Sequence, residues 1–149
     1  MKKALFLIAC SLVIITASHS QIRKMPAEVT NAFANSYPTA KNVTWRDKLS
    51  NFEAQFDLSG VHTVAKYSTK GEWMNTEQDL TLLTVNQNVK DGFNKSKYKD
   101  WSVKEIKSIQ AKDKATMYRF VVVKDAGDVL KRYLFFSSQG QLTKDALTL

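Results

Sequence analysis

Short stretches in which every second residue is apolar, separated by turns of two to four residues, constrain this chain more than any other feature. Phe52-x-Ala54-x-Phe56 alternates, Leu58-Ser59-Gly60 breaks it, and Val61 to Tyr67 alternates again. Thr69-Lys70-Gly71 forms the next break before Glu72–Glu77. Period-two patterning places alternate side chains on opposite faces of a strand, and short glycine turns join such strands as antiparallel hairpins. Val43-x-Trp45 opens the series, and strands are expected near 103–110, 116–124, 129–137 and 141–147, with Asp125-Ala126-Gly127-Asp128 and Ser138-Gln139-Gly140 as hairpin turns.

Two segments carry a helical period instead. Pro26 to Ser36 places Val29, Ala32, Phe33 and Ser36 or Tyr37 on one face, with proline in the first turn and Pro38 as a stop. Val85 to Tyr98 places Val89, Phe93 and the aliphatic stem of Lys97 with Val85, and Thr84 with Gln87 has the spacing of a capping box. Gly92 weakens this helix in isolation and allows it close to a sheet. At an offset of 60, Val29, Phe33 and Val43 match Val89, Phe93 and Val103. The expected fold is α+β: two tandem helix-plus-four-antiparallel-strand units, 25–80 and 84–149, forming one curved sheet with two helices on one face.

The N-terminus indicates export. Lys2 and Lys3 precede an apolar run from Ala4 to Ala17, and Ser18 and Ser20 occupy the −3 and −1 positions before Gln21. That is the layout of a secretory signal peptide over 1–20, and its apolar run is shorter than the roughly 20 residues a membrane span needs. Residues 21–149 are expected to form a single domain with no transmembrane segment, periplasmic or secreted. Cys10 is the one cysteine in the chain and lies in the leader, so the mature fold must stand on its hydrophobic core. The mature chain has 20 basic and 14 acidic residues, and the whole excess falls after residue 83. A lopsided field of this kind favours an anionic partner or surface.

Residue inventory argues against catalysis. With no cysteine and one histidine left after processing, His62 in a strand pattern is the one base available to a serine. No Gly-x-Ser-x-Gly elbow and no phosphate loop is present among five glycines. One histidine cannot build a zinc site, and Asp125 and Asp128 lack the spacing of a calcium loop. Lys95, Lys97, Tyr98, Lys99 and Trp101 interleave bases and aromatics as single-strand binders do, but Tyr98 and Trp101 suit packing of the helix end. The expectation is a protein that is not an enzyme, with no catalytic residues, no cofactor, no metal and no nucleic-acid partner.

The ensemble Pro26-x2-Val29-x3-Phe33-x3-Tyr37-Pro38-x-Ala40-x2-Val43-x-Trp45, then Phe52-Glu53-Ala54-x-Phe56, Gly60 and Ala65-x-Tyr67-x3-Gly71-x-Trp73-x3-Glu77, resembles the PepSY-like, beta-lactamase-inhibitor-protein-like family of small secreted periplasmic proteins. The second half departs from the pattern, with Val85 where a proline is common and no tryptophan after Val103. The resemblance implies tandem units whose sheet leaves one face open. It also implies a link to protease propeptides and to inhibition of an enzyme gripped by that face.

Strand parity identifies the open face. If Val43, Trp45, Phe52, Ala54, Phe56 and Tyr67 face the helices, then Arg46, Glu53, Gln55, Asp57, His62, Val64 and Lys66 face away, joined by Met117, Arg119 and Val121. The candidate partner-binding residues are Arg46, Glu53, Gln55, His62, Lys66 and Arg119, whose mixed signs suit an exported or envelope protein. The alternative is a sensor or binder of a small molecule, a metal ion or an anionic envelope component. The helix-covered face is expected to bind nothing.

Overall fold

A computed structural model describes residues 24–125 and 130–147. The expected leader, its cleavage position before Gln21 and the turn residues 126–129 lie outside the described residues. The element order is α1 (Ala27–Ser36), β1 (Lys41–Asp47), β2 (Asn51–Leu58), β3 (Val61–Ser68), β4 (Trp73–Leu80), α2 (Gln87–Lys95), β5 (Ser102–Ala111), β6 (Met117–Val123), β7 (Lys131–Ser137) and β8 (Leu142–Leu147).

The strands form one eight-stranded antiparallel sheet in sequence order, β1 through β8. This corrects the expectation of two tandem helix-plus-four-strand units. Strands β4 and β5 are paired in unbroken register from Asn75↔Ala111 to Leu80↔Ile106, so no boundary divides the sheet. The sheet is the fold, and the two helices are additions to it. Hydrogen bonding between β4 and β5 satisfies edges that separate units would leave open.

Ladder register defines the two faces, because directly paired residues share a face. Phe56 pairs with Thr63, Thr63 with Gln78, Gln78 with Ser108, Ser108 with Tyr118 and Tyr118 with Phe136. That row links the core under α1 (Val29, Phe33, Phe52, Ala54, Phe56, Ala65, Tyr67) to the core under α2 (Val85, Val89, Phe93, Ile106, Phe120, Val122, Leu134, Phe136). Both helices therefore pack on one face of the sheet, over its two ends.

Glycine turns seat both helices. Gly71, with φ +84°, brings the β3–β4 turn against the backbone of Glu28 in α1. Gly92 of α2 meets Gly140 of the β7–β8 turn backbone to backbone. Ser59 and Gly60 both have positive φ, the geometry of a tight two-residue hairpin.

Several local expectations need correction. Helix α2 begins at Gln87, capped by Asn86, whose side chain accepts from the Asn88 N–H at 2.8 Å. The expected Thr84–Gln87 box does not form, because the Thr84 hydroxyl is engaged with Thr81. The helix ends at Lys95, which leaves Lys97 exposed and outside the inward stripe. Val43, expected to face the helices, is exposed on edge strand β1, beside a bulge between Lys41 and Thr44 at which Asn42 has φ 54°. Trp45 lies on edge strand β1 and is only half-buried.

Edge strand β8 is tied to the segment after α2 by one polar cluster. Buried Tyr98 donates its hydroxyl hydrogen to Asp145, Arg132 donates to the same carboxylate, and Lys97 approaches it at 3.6 Å. Partial burial pushes the Asp145 carboxyl up, but the hydrogen bonds from Tyr98 and Arg132 and the charges of Arg132 and Lys97 outweigh it. They hold its pKa below the ordinary value. A carboxylate with a depressed folded-state pKa stabilises the fold above its unfolded pKa of about 3.9 and loses that contribution as pH falls through the folded value. The urea midpoint of Asp145→Asn should accordingly lie below wild type at neutral pH, with the gap closing below about pH 4. A gap unchanged between neutral pH and acid would show that the carboxylate charge is irrelevant.

Candidate binding face

The face without helices is built from the outward residues of the strands. Arg46 pairs with Glu53, Glu53 with Lys66, Gln55 with Val64 and Asp57 with His62, so Arg46, Glu53, Gln55, His62 and Lys66 all lie on it. Arg119, between the helix-facing Tyr118 and Phe120, lies on it as well. The six predicted residues share a face, but they do not form one cluster. Arg46 and His62 are exposed, whereas Glu53, Lys66 and Arg119 belong to an ionic belt.

The belt crosses the sheet. Lys66 Nζ lies 3.8 Å from Glu53 and 3.0 Å from Glu77. Arg119 lies 3.7 Å from Glu77 and 2.9 Å from Glu105, and its guanidinium stands over the Tyr133 ring at 5.4 Å. Lys107 and Asp79 form a parallel pair at 3.0 Å. The Glu77 side chain, held between two cations, is only 14% exposed although no helix covers it. Ion pairs on a solvent-facing surface add little stability one by one, but a network fixes the rotamers of its members.

Beside the belt lies an apolar hollow of about 310 Å³, lined by Ile109, Ala111, Ala115, Met117 and Phe135, with Lys114 and Lys144 at its rim. Lys144 stands 5.5 Å above the Phe135 ring. Sequence reasoning placed Met117 here but missed Glu77, Glu105, Tyr133 and Phe135. Glu77 and Glu105 follow from extending parity into β4 and β5. Tyr133 and Phe135 do not, because Tyr133-Leu134-Phe135-Phe136 is apolar at every position and alternation cannot be read from it.

Among the described residues no group of three histidine, cysteine, aspartate or glutamate side chains is placed to hold a metal ion, and no helix is long and apolar enough to cross a membrane. His62 is exposed on the open face opposite Asp57.

Comparison with solved structures places this architecture. A DUF2874 family protein from Bacteroides ovatus is 25% identical with a TM-score of 0.78, covering 82% of this chain and 86% of its own. A protein of Bacteroides eggerthii, described as a proposed periplasmic protein, is 23% identical with a TM-score of 0.75 over 82% of this chain and 88% of its own. A BLIP-like protein from Bacteroides fragilis is 21% identical with a TM-score of 0.76 over 83% and 86%. The chain has a BLIP-like fold. None of these descriptions mentions PepSY, so that part of the sequence resemblance gains no support. No protein-family model matches the sequence, and no curated protein matches it.

Proposed function

We propose that the chain is an exported, non-catalytic protein-binding module that engages an envelope protein through the face opposite its helices. The observation behind this reading is the pairing, on one uncovered face, of an apolar hollow at Phe135 and Met117 with a rigid belt of mixed charge. Apolar centres bordered by polar groups are the anatomy of protein interfaces, and aromatic anchors contribute most of their energy. The periplasmic description of one neighbour and the BLIP-like description of another agree with export and with protein recognition. The cations at the hollow, Lys114 and Lys144, favour a partner that presents an apolar side chain flanked by carboxylates.

The structure changes which variants can test this. Lys66 sits between Glu53 and Glu77, so Lys66→Glu would bring three carboxylates together and weaken the fold as well as any contact. Arg46→Glu, Phe135→Ala and Lys144→Glu are the cleaner choices. Photo-cross-linking from Met117 in the envelope should capture the partner on protein whose mass begins at Gln21. Phe135→Ala should then weaken the purified interaction at least about tenfold, with Arg46→Glu and Lys144→Glu weakening it less. Loss of binding on changing Glu28, Asn31 or Lys90 of the helices, with no effect from the sheet-face variants, would refute this site. Retention on anionic polysaccharide that vanishes with salt, with no protein captured, would favour the alternative reading.

A further inference from the structure

The helix-bearing face is not fully covered. Helix α1 packs on the β1–β3 end and α2 on the β5–β8 end, and between them a strip of the same face remains open. There Tyr37, Leu58, Thr76, Gln78, Ser108, Gln110, Thr116 and Tyr118 line a cleft of about 340 Å³. The strip explains why neither helix spreads over it, because burying amides and hydroxyls against an apolar helix would leave them unpaired.

The chemistry of this cleft is uniform. Its lining contains no charged side chain. Among the described residues, the side chains of Gln78, Ser108, Gln110, Thr116 and Tyr118 make no hydrogen bond. Thr76 is fixed at its floor, with the Tyr37 hydroxyl 2.5 Å from its Oγ1 and the Trp73 indole N–H donating to the same oxygen at 2.9 Å. Amides and hydroxyls each offer both donors and acceptors. Tyr37 and Tyr118 add ring surface and Leu58 adds apolar surface.

We infer that the cleft between the two helices is a binding site for a neutral polyhydroxylated ligand, a saccharide of one or two rings. Every sugar hydroxyl both donates and accepts, which matches side chains that do the same. The C–H faces of a sugar ring match the tyrosine rings. Its volume sits at the small end of the roughly 300–1,000 Å³ typical of small-molecule sites. Anions and cations find no counter-charge in the lining and would lose hydration without compensation. The site is on the opposite face from the protein-binding surface proposed above and does not depend on it.

Titration of the mature protein with cellobiose, maltose and lactose, followed by calorimetry and saturation-transfer NMR, tests the inference. At least one should bind with a Kd of ~1 mM or tighter. Gln78→Leu and Gln110→Leu should each weaken binding about three- to tenfold, since each removes hydrogen bonds to the ligand, while the thermal midpoint shows the fold intact. Phe135→Ala, on the other face, should leave saccharide binding unchanged. Failure of all three disaccharides to bind overturns the inference. So does binding that survives both glutamine substitutions, or glucuronate binding as tightly as the neutral sugars.

Discussion

Gly92→Ala should destabilise the protein by at least about 3 kcal/mol, at the upper end of what overpacking costs. In an isolated helix the same change gains up to about 1 kcal/mol. The sign reverses here because a Cβ on Gly92 would lie 2.0 Å from the Gly140 carbonyl oxygen and 2.8 Å from its carbon. The obstacle is backbone, so no rotamer change relieves it. The turn cannot retreat easily either, since Gly140 has φ +81° and its own missing Cβ faces the Asn88 carbonyl oxygen at 2.0 Å. Helix α2 must lift from the β7–β8 turn, loosening Val89 and Phe93 from the core. The thermal midpoint should fall by ~10 °C or more. Asn94→Ala, on the exposed side of the same helix, should stay within about 0.5 kcal/mol of wild type. A midpoint at or above wild type for Gly92→Ala would show that the close approach does not govern how α2 is seated.

Phe33→Ala should cost about 3–5 kcal/mol. Phe33 is the hub of the aromatic core under α1, with ring centroids 5.0 Å from Phe56, 5.2 Å from Trp45, 5.6 Å from Tyr37 and 6.5 Å from Tyr67. Three of these pairs are edge-on, a geometry worth about 0.5–1.5 kcal/mol each beyond area burial. Truncation removes all of them and leaves a cavity that the rigid sheet cannot close. Trp45, half-buried on the edge strand, relies on Phe33 for its packing, so the near-UV circular dichroism should lose intensity in the same variant. Both signals unmoved would mean that α1 is not docked through Phe33.

These variants sit where local pattern and tertiary contact meet. Gly92 reads from sequence as a weak point in a helix, and its partner 48 positions later is invisible to any local pattern. Phe33 reads correctly as an inward residue, because the helical period of Val29, Ala32 and Phe33 records a buried face directly. Val43, read as inward from strand alternation, is exposed. Alternation presumes an unbroken strand, and the register shifts between Lys41 and Thr44.

The sequence by itself determined the strand and helix types, the turns at Gly60, Gly71 and Gly140 and the outward placement of Arg46, Glu53, Gln55, His62, Lys66 and Arg119. Each follows from one-sided burial, which leaves a period in the chain. It also suggested a repeat, which the continuous eight-stranded sheet overrode, because pairing of β4 with β5 is decided by hydrogen bonds between segments some 30 positions apart. Only the tertiary structure showed that the ionic belt runs unbroken from Glu53 through Lys66, Glu77 and Arg119 to Glu105, that Tyr133 and Phe135 face outward, and that two helices of nine and ten residues leave the middle of their own face uncovered. Polar residues such as Gln78, Ser108 and Gln110 look like ordinary solvated strand positions in a linear sequence. What distinguishes them is the two neighbouring rows they join, Gln78 with Ser108 and Gln110 with Thr76, and those rows exist only once the ladders have set their register.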